Sequence, residues 1–191
     1  MKKAVLASLA AFAGLFTASF GAAAQTYSVE PTHTFVIWEA KHFGTSTSRG
    51  RFDKKEGSIT IDRTAKTGKA EITIDMASIN TGVAPFDKHL KSGDFFNVEK
   101  FATAKFVGDK FTFDGDKVTE VAGTLTMLGK TNPVVLKATG FNCYDNPIFK
   151  RQVCGGDFET TLTRSQYDMK YGLPGIPDAI RLLIQIEAIK Q

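Results

Sequence analysis

The sequence predicts an all-β protein, an antiparallel barrel or sandwich of about eight strands. Hydrophobic and polar side chains alternate along much of the chain after Gln25, which is the pattern of strands that bury one face. Turn-forming residues separate several of the alternating stretches. Only residues 85–96 break the pattern, with a composition poor in strand-forming residues. Strands at this spacing indicate an antiparallel sheet rather than a βαβ fold.

Residues 1–24 precede the first strand and have the pattern of a cleaved signal peptide. Two lysines follow Met1, an uncharged run rich in Ala, Leu and Phe covers residues 4–20, and Ala22-Ala23-Ala24 offers small residues to a signal peptidase. The alternative is a membrane anchor, but the run is short for a span of about 30 Å and no positive cluster follows it. We therefore expect cleavage before Gln25, a periplasmic location, and a mature domain of residues 25–191 without stable membrane insertion.

The strand candidates, in chain order, are residues 34–42, 46–62, 70–76, 103–113, 117–128, 133–141, 154–164 and 180–188. Alternation is clearest in the first, third and last. Their predicted inward-facing sets are Thr34, Val36, Trp38, Ala40 and His42; Ala70, Ile72, Ile74 and Met76; and Ile180, Leu182, Ile184, Ile186 and Ala188. Turn chemistry separates several strands, at Lys66-Thr67-Gly68, Asp114-Gly115-Asp116 and Gly129-Lys130-Thr131-Asn132-Pro133. With no repeat and no linker, these strands are expected to form a single domain.

A short helical insertion is predicted near residues 84–96. Phe86 and Leu90 are four residues apart, as are Leu90 and Asp94, which favours one or two helical turns. In a barrel, such a segment is expected to cap one end or to line the mouth.

The predicted strand number limits what the interior can be. An eight-stranded barrel is either just filled by its side chains or just able to hold one small ligand. The inward-facing sets are almost wholly apolar, and Trp38 is the only Trp. A dry core and an apolar cavity use the same residues, so both interpretations stay open at this point.

Cys143 and Cys154, eleven positions apart, are the only two cysteines. Their spacing fits no redox, haem or zinc motif. In an oxidising compartment they are expected to form a disulfide, which stabilises the fold by about 3 kcal/mol in the chain-entropy model.

The motifs of catalysis and metal binding are missing. There is no GxSxG, Walker A, GxGxxG or HExxH pattern. The three histidines are His33, His42 and His89; the first two are nine apart and would point to opposite faces of a continuous strand. The residues alone therefore show no catalytic motif and favour ordinary hydrogen-bonded or surface histidines over a shared metal site; no cofactor is expected.

The charge gives little reason to expect a nucleic-acid partner. The chain has a net charge of +4, but Lys2 and Lys3 belong to the predicted signal peptide, and the remainder is close to neutral. Lys-Phe pairs at 100–101, 105–106 and 110–111 resemble a stacking surface. Their spacing of five, however, predicts successive Phe side chains on opposite faces of a strand.

Several stretches, taken in order along the chain, match the motifs of a single protein family. The stretch His33-Thr34-Phe35-Val36-Ile37-Trp38-Glu39-Ala40-Lys41-His42-Phe43-Gly44 is similar to the family's opening strand, and Asp87-Lys88-His89-Leu90-Lys91-Ser92-Gly93-Asp94-Phe95-Phe96 to its most specific motif. Further matches are Gly50-Arg51-Phe52, Gly57-Ser58-Ile59, Asp75-Met76-Ala77-Ser78-Ile79-Asn80-Thr81, Gly123-Thr124-Leu125-Thr126-Met127 and Arg164-Ser165. Together these stretches resemble the YceI-like family of periplasmic polyisoprenoid-binding proteins, and the resemblance covers essentially all of residues 27–190.

The resemblance implies a lipocalin-like barrel of eight antiparallel strands that holds an isoprenoid or similar amphipathic lipid, of polyprenyl or quinone type, without catalysis. A hydrophobic small molecule is then the expected partner, and homodimer formation stays open. The predicted lining residues are Val36, Trp38, Ala40, Ile72, Ile74, Phe106, Leu125, Met127, Leu136, Phe158, Leu182 and Ile184. Asp87 and His89 are candidates to meet a head group at the mouth, the alternative being helix capping and surface pairing.

Three residues depart from the family pattern: Trp38 stands where Phe is usual, Phe86 where Arg is frequent, and Asp168 where Gly is common. The first two bear on the ligand, since Trp38 narrows or shortens the bore and Phe86 removes a partner for a phosphate head group. Two other functions stay open: an enzyme of lipid or redox metabolism on the same barrel, and a structural or stress module with a filled core.

Overall fold

The structure is a computed structural model that describes residues 24–191. The predicted signal peptide lies outside the described residues, except for Ala24. Across the described part of the chain, no helix is long and apolar enough to span a membrane.

The described residues form eleven strands, one α-helix and two 3₁₀ turns. The strands are β1 (Gln25–Val29), β2 (Phe35–His42), β3 (Ser46–Phe52), β4 (Lys55–Asp62), β5 (Thr67–Asp75), β6 (Ile79–Asn80), β7 (Thr103–Asp114), β8 (Lys117–Met127), β9 (Lys130–Asn146), β10 (Arg151–Thr163) and β11 (Ala179–Lys190). The helix α1 spans Ala84–Lys91, and the 3₁₀ turns are Met76–Ser78 and Arg164–Tyr167.

These eleven strands make a closed antiparallel barrel of eight, because three barrel strands are interrupted. β11 pairs with β2 along residues 181–185 and with β1 along residues 188–190, so β1 and β2 are two segments of one barrel strand. In the same way β4 pairs with β1 while β3 pairs with β2, and β6 continues β5 against β3. The pairing of β1 with β11 closes the sheet. The predicted all-β, eight-stranded antiparallel barrel is confirmed.

The break between β1 and β2 is organised by the buried carboxylate of Glu30. One oxygen accepts from the backbone N–H and the hydroxyl of Thr32, at 2.9 and 2.6 Å, and the other from the backbone N–H of His33 at 2.8 Å. The imidazole Nδ1 of His33 lies 2.6 Å from the same second oxygen. Burial alone would raise the pKa of Glu30, but these hydrogen bonds outweigh it and lower the pKa to about 2.

Two local predictions need correction, and the structure adds one strand. The strand candidate 46–62 is broken between β3 and β4, and β1 was not among the predicted strands. The short helical insertion predicted near residues 84–96 is confirmed as α1, which spans Ala84–Lys91. Phe106 and Phe111 both face the interior rather than opposite sides, because a β-bulge between Gly108 and Lys110 shifts the register of β7 by one residue.

The disulfide between Cys143 and Cys154 is present, as predicted. The two cysteines are direct cross-strand neighbours on β9 and β10. The bond therefore ties together two neighbouring strands near the hairpin that joins them.

The two ends of the barrel differ in their connections. One end carries the short turns between β4 and β5, β7 and β8, and β9 and β10. There, Lys66 donates to the carbonyl of Gly115 and lies 3.2 Å from the carboxylate of Asp116, which links two turns. We call this the closed end. The opposite end carries α1, the β2–β3 turn and the long 164–178 connection, and we call it the mouth end.

Candidate functional site

The barrel encloses one large apolar cavity, with a volume of about 550 Å³. That volume lies in the range of small-molecule sites in proteins. All twelve predicted lining residues face it: Val36, Trp38, Ala40, Ile72, Ile74, Phe106, Leu125, Met127, Leu136, Phe158, Leu182 and Ile184. The lining extends from Phe43 and Tyr171 at the mouth end to Phe141, Cys154 and Ala188 near the closed end.

Strand alternation explains why these side chains converge. Along β2, Val36, Trp38 and Ala40 are buried, while the residues between them are partly exposed on the outer face. The same alternation places Ile72 and Ile74 of β5 inside. Since all eight barrel strands repeat it, the inner surface becomes almost continuously hydrocarbon.

Two of the departures from the family pattern contact each other inside the barrel. The rings of Trp38 and Phe86 meet edge to face, with centroids 6.3 Å apart, and both side chains line the cavity. Trp38 also lies over Gly50 of β3, where an added Cβ would come within 2.6 Å of the indole ring. Among the described residues, the indole N–H of Trp38 is one of the buried donors that lacks a hydrogen-bond partner. The Trp38 side chain therefore depends on Gly50 and Phe86 for its position.

The cavity reaches the surface at the mouth end. Its lining residues there include Lys41 and His42 at the end of β2, Phe43 of the β2–β3 turn, and Tyr171 and Gly172 of the 164–178 connection. All five are exposed. The lining residues at the closed end are buried or half-buried. A hydrogen bond from the backbone N–H of Phe43 to the carbonyl of Gly175, 3.0 Å long, joins the two mouth segments.

The two predicted head-group residues occupy different positions. His89 lines the cavity, with Nε2 3.1 Å from the carboxylate of Asp94 and its ring about 5 Å from the rings of Phe95 and Tyr171. Asp87 does not line it. Instead its carboxylate accepts from the backbone N–H and the hydroxyl of Thr81, at 2.7 and 2.6 Å. The structure thus brings His89, and not Asp87, to the mouth.

The buried cation Arg164 holds the mouth connection in place. Its guanidinium donates to the backbone carbonyls of Met169, Tyr171, Ile176 and Pro177, at 2.8 to 3.2 Å. Burial lowers the pKa of Arg164, an effect that the charge of Asp178 opposes. With these N–H groups already bonded to the protein, Arg164 is a structural clamp rather than a free anion-binding group.

Lys55 is the second buried cation beside the cavity. Its ammonium donates to the carbonyl of Asp53 at 3.2 Å and lies 4.4 Å from the centre of the Phe35 ring. Burial lowers the pKa of Lys55, because water no longer solvates the ammonium fully. Sequence reasoning named Arg164 only within a motif match and did not name Lys55, because burial of one Lys and one Arg leaves no periodic signal.

Within the described residues, no group of three or more His, Cys, Asp or Glu side chains could hold a metal ion. What the arrangement offers is a long hydrocarbon surface shielded from water, with polar groups gathered at one opening. Such a site can take up an apolar chain and orient it by its polar end.

A closed antiparallel barrel around an apolar cavity defines the class of small-ligand-binding β-barrels. Within that class, residues 27–188 match the model of the YceI-like domain, and the chain belongs to the YceI-like family.

Relatives and solved structures agree with this assignment. A UPF0312 protein from Pseudomonas aeruginosa is 36% identical over 194 residues and covers the whole of both chains. A YceI protein from Campylobacter jejuni has 26% identity and a TM-score of 0.67, covering 79% of this chain and 90% of its own. Burkholderia cenocepacia BcnA shares the fold with a TM-score of 0.69 and 22% identity, covering 84% of this chain and 99% of its own. So does a polyisoprenoid-binding domain from Saccharophagus degradans, with a TM-score of 0.60, 15% identity and coverages of 86% and 98%.

Proposed function

We propose that this chain is exported to the periplasm and serves there as a non-catalytic carrier. Its cargo is one isoprenoid or similar amphipathic lipid, of the polyprenyl or quinone type, held in the barrel cavity. The observation that carries the proposal is the apolar cavity itself, which is open at the mouth end and closed at the other. The fold shared with the polyisoprenoid-binding domain of S. degradans supports it.

Hydrophobic burial supplies the affinity for such a ligand. Each CH₂ group removed from water contributes about 0.8 kcal/mol, so a chain of a few isoprene units needs no charged contact. The ordering of a flexible chain opposes part of this gain. Micromolar or tighter binding is therefore within reach of an apolar lining alone.

The positions of the polar groups give the ligand a direction. Arg164 is bonded to four backbone carbonyls, and Lys55 to a backbone carbonyl and an aromatic ring. Lys41, His42 and His89 instead line the cavity at its mouth. The tail therefore enters first, and the polar end of the lipid stays at the mouth.

The first test identifies the cargo of the protein purified from its own host. Native mass spectrometry, followed by solvent extraction, is expected to find one hydrophobic small molecule per chain. Repeated purification of ligand-free protein that also fails to bind added polyprenyl lipid or quinone would contradict the proposal.

A matched pair of variants tests where the lipid binds. Leu136 lines the cavity, whereas its neighbour Val135 on β9 is exposed on the outer face. Leu136→Gln is expected to weaken lipid binding at least tenfold, because full burial of a leucine side chain, here against the lipid, contributes about 1.5–3 kcal/mol. Val135→Gln is expected to leave the affinity unchanged. The emission of Trp38, the only Trp, reports binding in both variants. Equal affinities would place the lipid outside the barrel.

A further inference from the structure

The mouth end presents large apolar side chains to solvent around the opening of the cavity. Phe43 is 67% exposed, Val83 54%, Tyr171 50% and Leu173 37%. They belong to three connected segments: the β2–β3 turn, α1 with its N-terminal flank, and the 164–178 connection. A backbone hydrogen bond joins the first and third, and the contact of His89 with Tyr171 joins the second and third.

The same three segments also carry basic side chains. Residues 41–45, 83–91 and 168–174, which we call the mouth rim, contain four lysines and two aspartates. The aspartates are engaged: Asp87 accepts from Thr81, and Asp168 pairs with Lys130 and Lys170 at 3.2 and 3.8 Å. Within residues 24–191, Lys41 and Lys88 have no ion-pair partner, and both are exposed. The lysines of the rim are Lys41, Lys88, Lys91 and Lys170.

We propose that the mouth rim docks on the surface of an anionic phospholipid bilayer, so that the cavity opens directly onto the membrane. Exposed aromatic and aliphatic side chains enter the interfacial region of a bilayer, and lysines around them are attracted to anionic head groups. The inference rests on the proposed carrier function, because a lipid that leaves the bilayer here avoids crossing water.

Charge favours a bilayer over a second copy of the chain as the occupant. Two rims brought face to face would place lysines against lysines, a like-charge contact that disfavours association. An anionic surface is complementary to the same lysines. The apolar side chains and the basic groups therefore select the same partner.

The test uses ligand-free full-length mature protein and large vesicles in a flotation assay. Vesicles of phosphatidylcholine with 30% phosphatidylglycerol are compared with vesicles of phosphatidylcholine alone. Flotation is expected with the anionic vesicles, at least tenfold weaker with the neutral ones, and reduced at high salt.

Two variants change the rim without touching the cavity lining. The first is the double variant Val83→Ser, Leu173→Ser. Val83 is the N-cap of α1, a position at which Ser is favoured, so this change should not destabilise the helix. Lys88→Glu reverses one exposed charge. Each is expected to lower vesicle binding at least fivefold. The control is Ile148→Ser in the β9–β10 turn at the closed end, where Ile148 is 84% exposed; it should bind vesicles like the unchanged protein.

The experiments distinguish failure of membrane docking from failure of lipid binding in the cavity. Titration of Trp38 emission with detergent-solubilised lipid tests the cavity alone, and the rim variants are expected to keep it. Equal binding to neutral and anionic vesicles, or an equal loss in Ile148→Ser, would overturn the docking proposal and leave the carrier function standing. So would sedimentation showing a dimer that the rim variants abolish, since the rim would then bind a second copy.

Discussion

Asp168 occupies a backbone conformation that few residues adopt. It follows the 3₁₀ turn Arg164–Tyr167, and its backbone lies in the left-handed region, with φ of 63° and ψ of 11°. Glycine adopts this region without strain, and Asp is among the few other residues that tolerate it. Its carboxylate contacts Lys130 and Lys170, so the exchange of a common Gly for Asp adds surface ion pairs and keeps the turn.

Gly50 is required for its small size, because it leaves space for the indole ring of Trp38. A Cβ at this position would lie 2.6–2.8 Å from three atoms of the Trp38 indole, which is too close for unchanged packing. Gly50→Ala is therefore expected to push the indole into the cavity, lowering the free energy of unfolding by about 1–3 kcal/mol and weakening lipid binding. Urea unfolding and lipid titration measure the two effects.

The control for this prediction is Gly140→Ala on β9. A Cβ there would meet no atom within 4 Å, so stability and lipid affinity should be retained or slightly improved. If Gly50→Ala behaved like Gly140→Ala in both measurements, the indole would not depend on Gly50 for its position.

Among the secondary-structure elements, the interrupted barrel strands are held in place by side chains at their breaks. Lys55 follows the β3–β4 break and packs on Phe35, at the start of β2. Asp53, in the same break, accepts from the side-chain amide of Asn80 on β6 at 2.8 Å. The breaks are thus held by polar side chains, and a segment such as 46–62 looks continuous in sequence because hydrophobic alternation resumes after each break.

Glu30 makes the first of these breaks sensitive to acid. Its pKa is about 2 in the folded protein against an ordinary value of 4.5, so the folded state is favoured wherever the carboxylate is ionised in both states. This contribution is complete above about pH 4.5 and is lost as the pH falls towards 2. By linkage it amounts to up to about 3 kcal/mol.

Glu30→Gln is expected to lower stability at pH 7 and to flatten the decrease between pH 4.5 and 2. Urea unfolding at pH 7, 4.5, 3 and 2 measures both effects. Glu56→Gln, which changes an exposed residue on β4, should retain the unchanged protein's pH profile. An identical acid profile in Glu30→Gln would show that other groups control this range.

At the scale of the whole molecule, the sequence predicts the barrel wall far better than its ends. Alternation in Val36, Trp38 and Ala40, repeated in other strands, places the twelve predicted lining side chains on one surface, because the period of a strand is fixed at two. The bulge that turns Phe111 inward follows no such rule. Nor does the course of the 164–178 connection, which depends on Arg164 meeting four carbonyls that are brought together only by folding.

Whether the barrel interior is filled by side chains or contains a cavity is also a property of the whole molecule, because the two arrangements use the same residues. A substitution at Ala70 of β5 can distinguish the filled core from the cavity. Ala70 is buried, lines the cavity towards the closed end, and pairs with Ile59 and Gly108 on the neighbouring strands. A longer side chain there extends into the space where the end of a bound lipid tail would lie.

Ala70→Leu is therefore expected to have opposite effects on folding and on binding. In an empty cavity the added carbons fill space, so the ligand-free protein should keep its stability or gain up to about 2 kcal/mol. In a filled core the same change would overpack the interior and cost about 1–3 kcal/mol. Affinity for the longest polyprenyl chains should fall at least tenfold while short chains still bind.

The matched control is Ala122→Leu on β8. Ala122 does not line the cavity, so this change should leave the chain-length preference unchanged. Lower stability with no change in chain-length preference would favour the filled core.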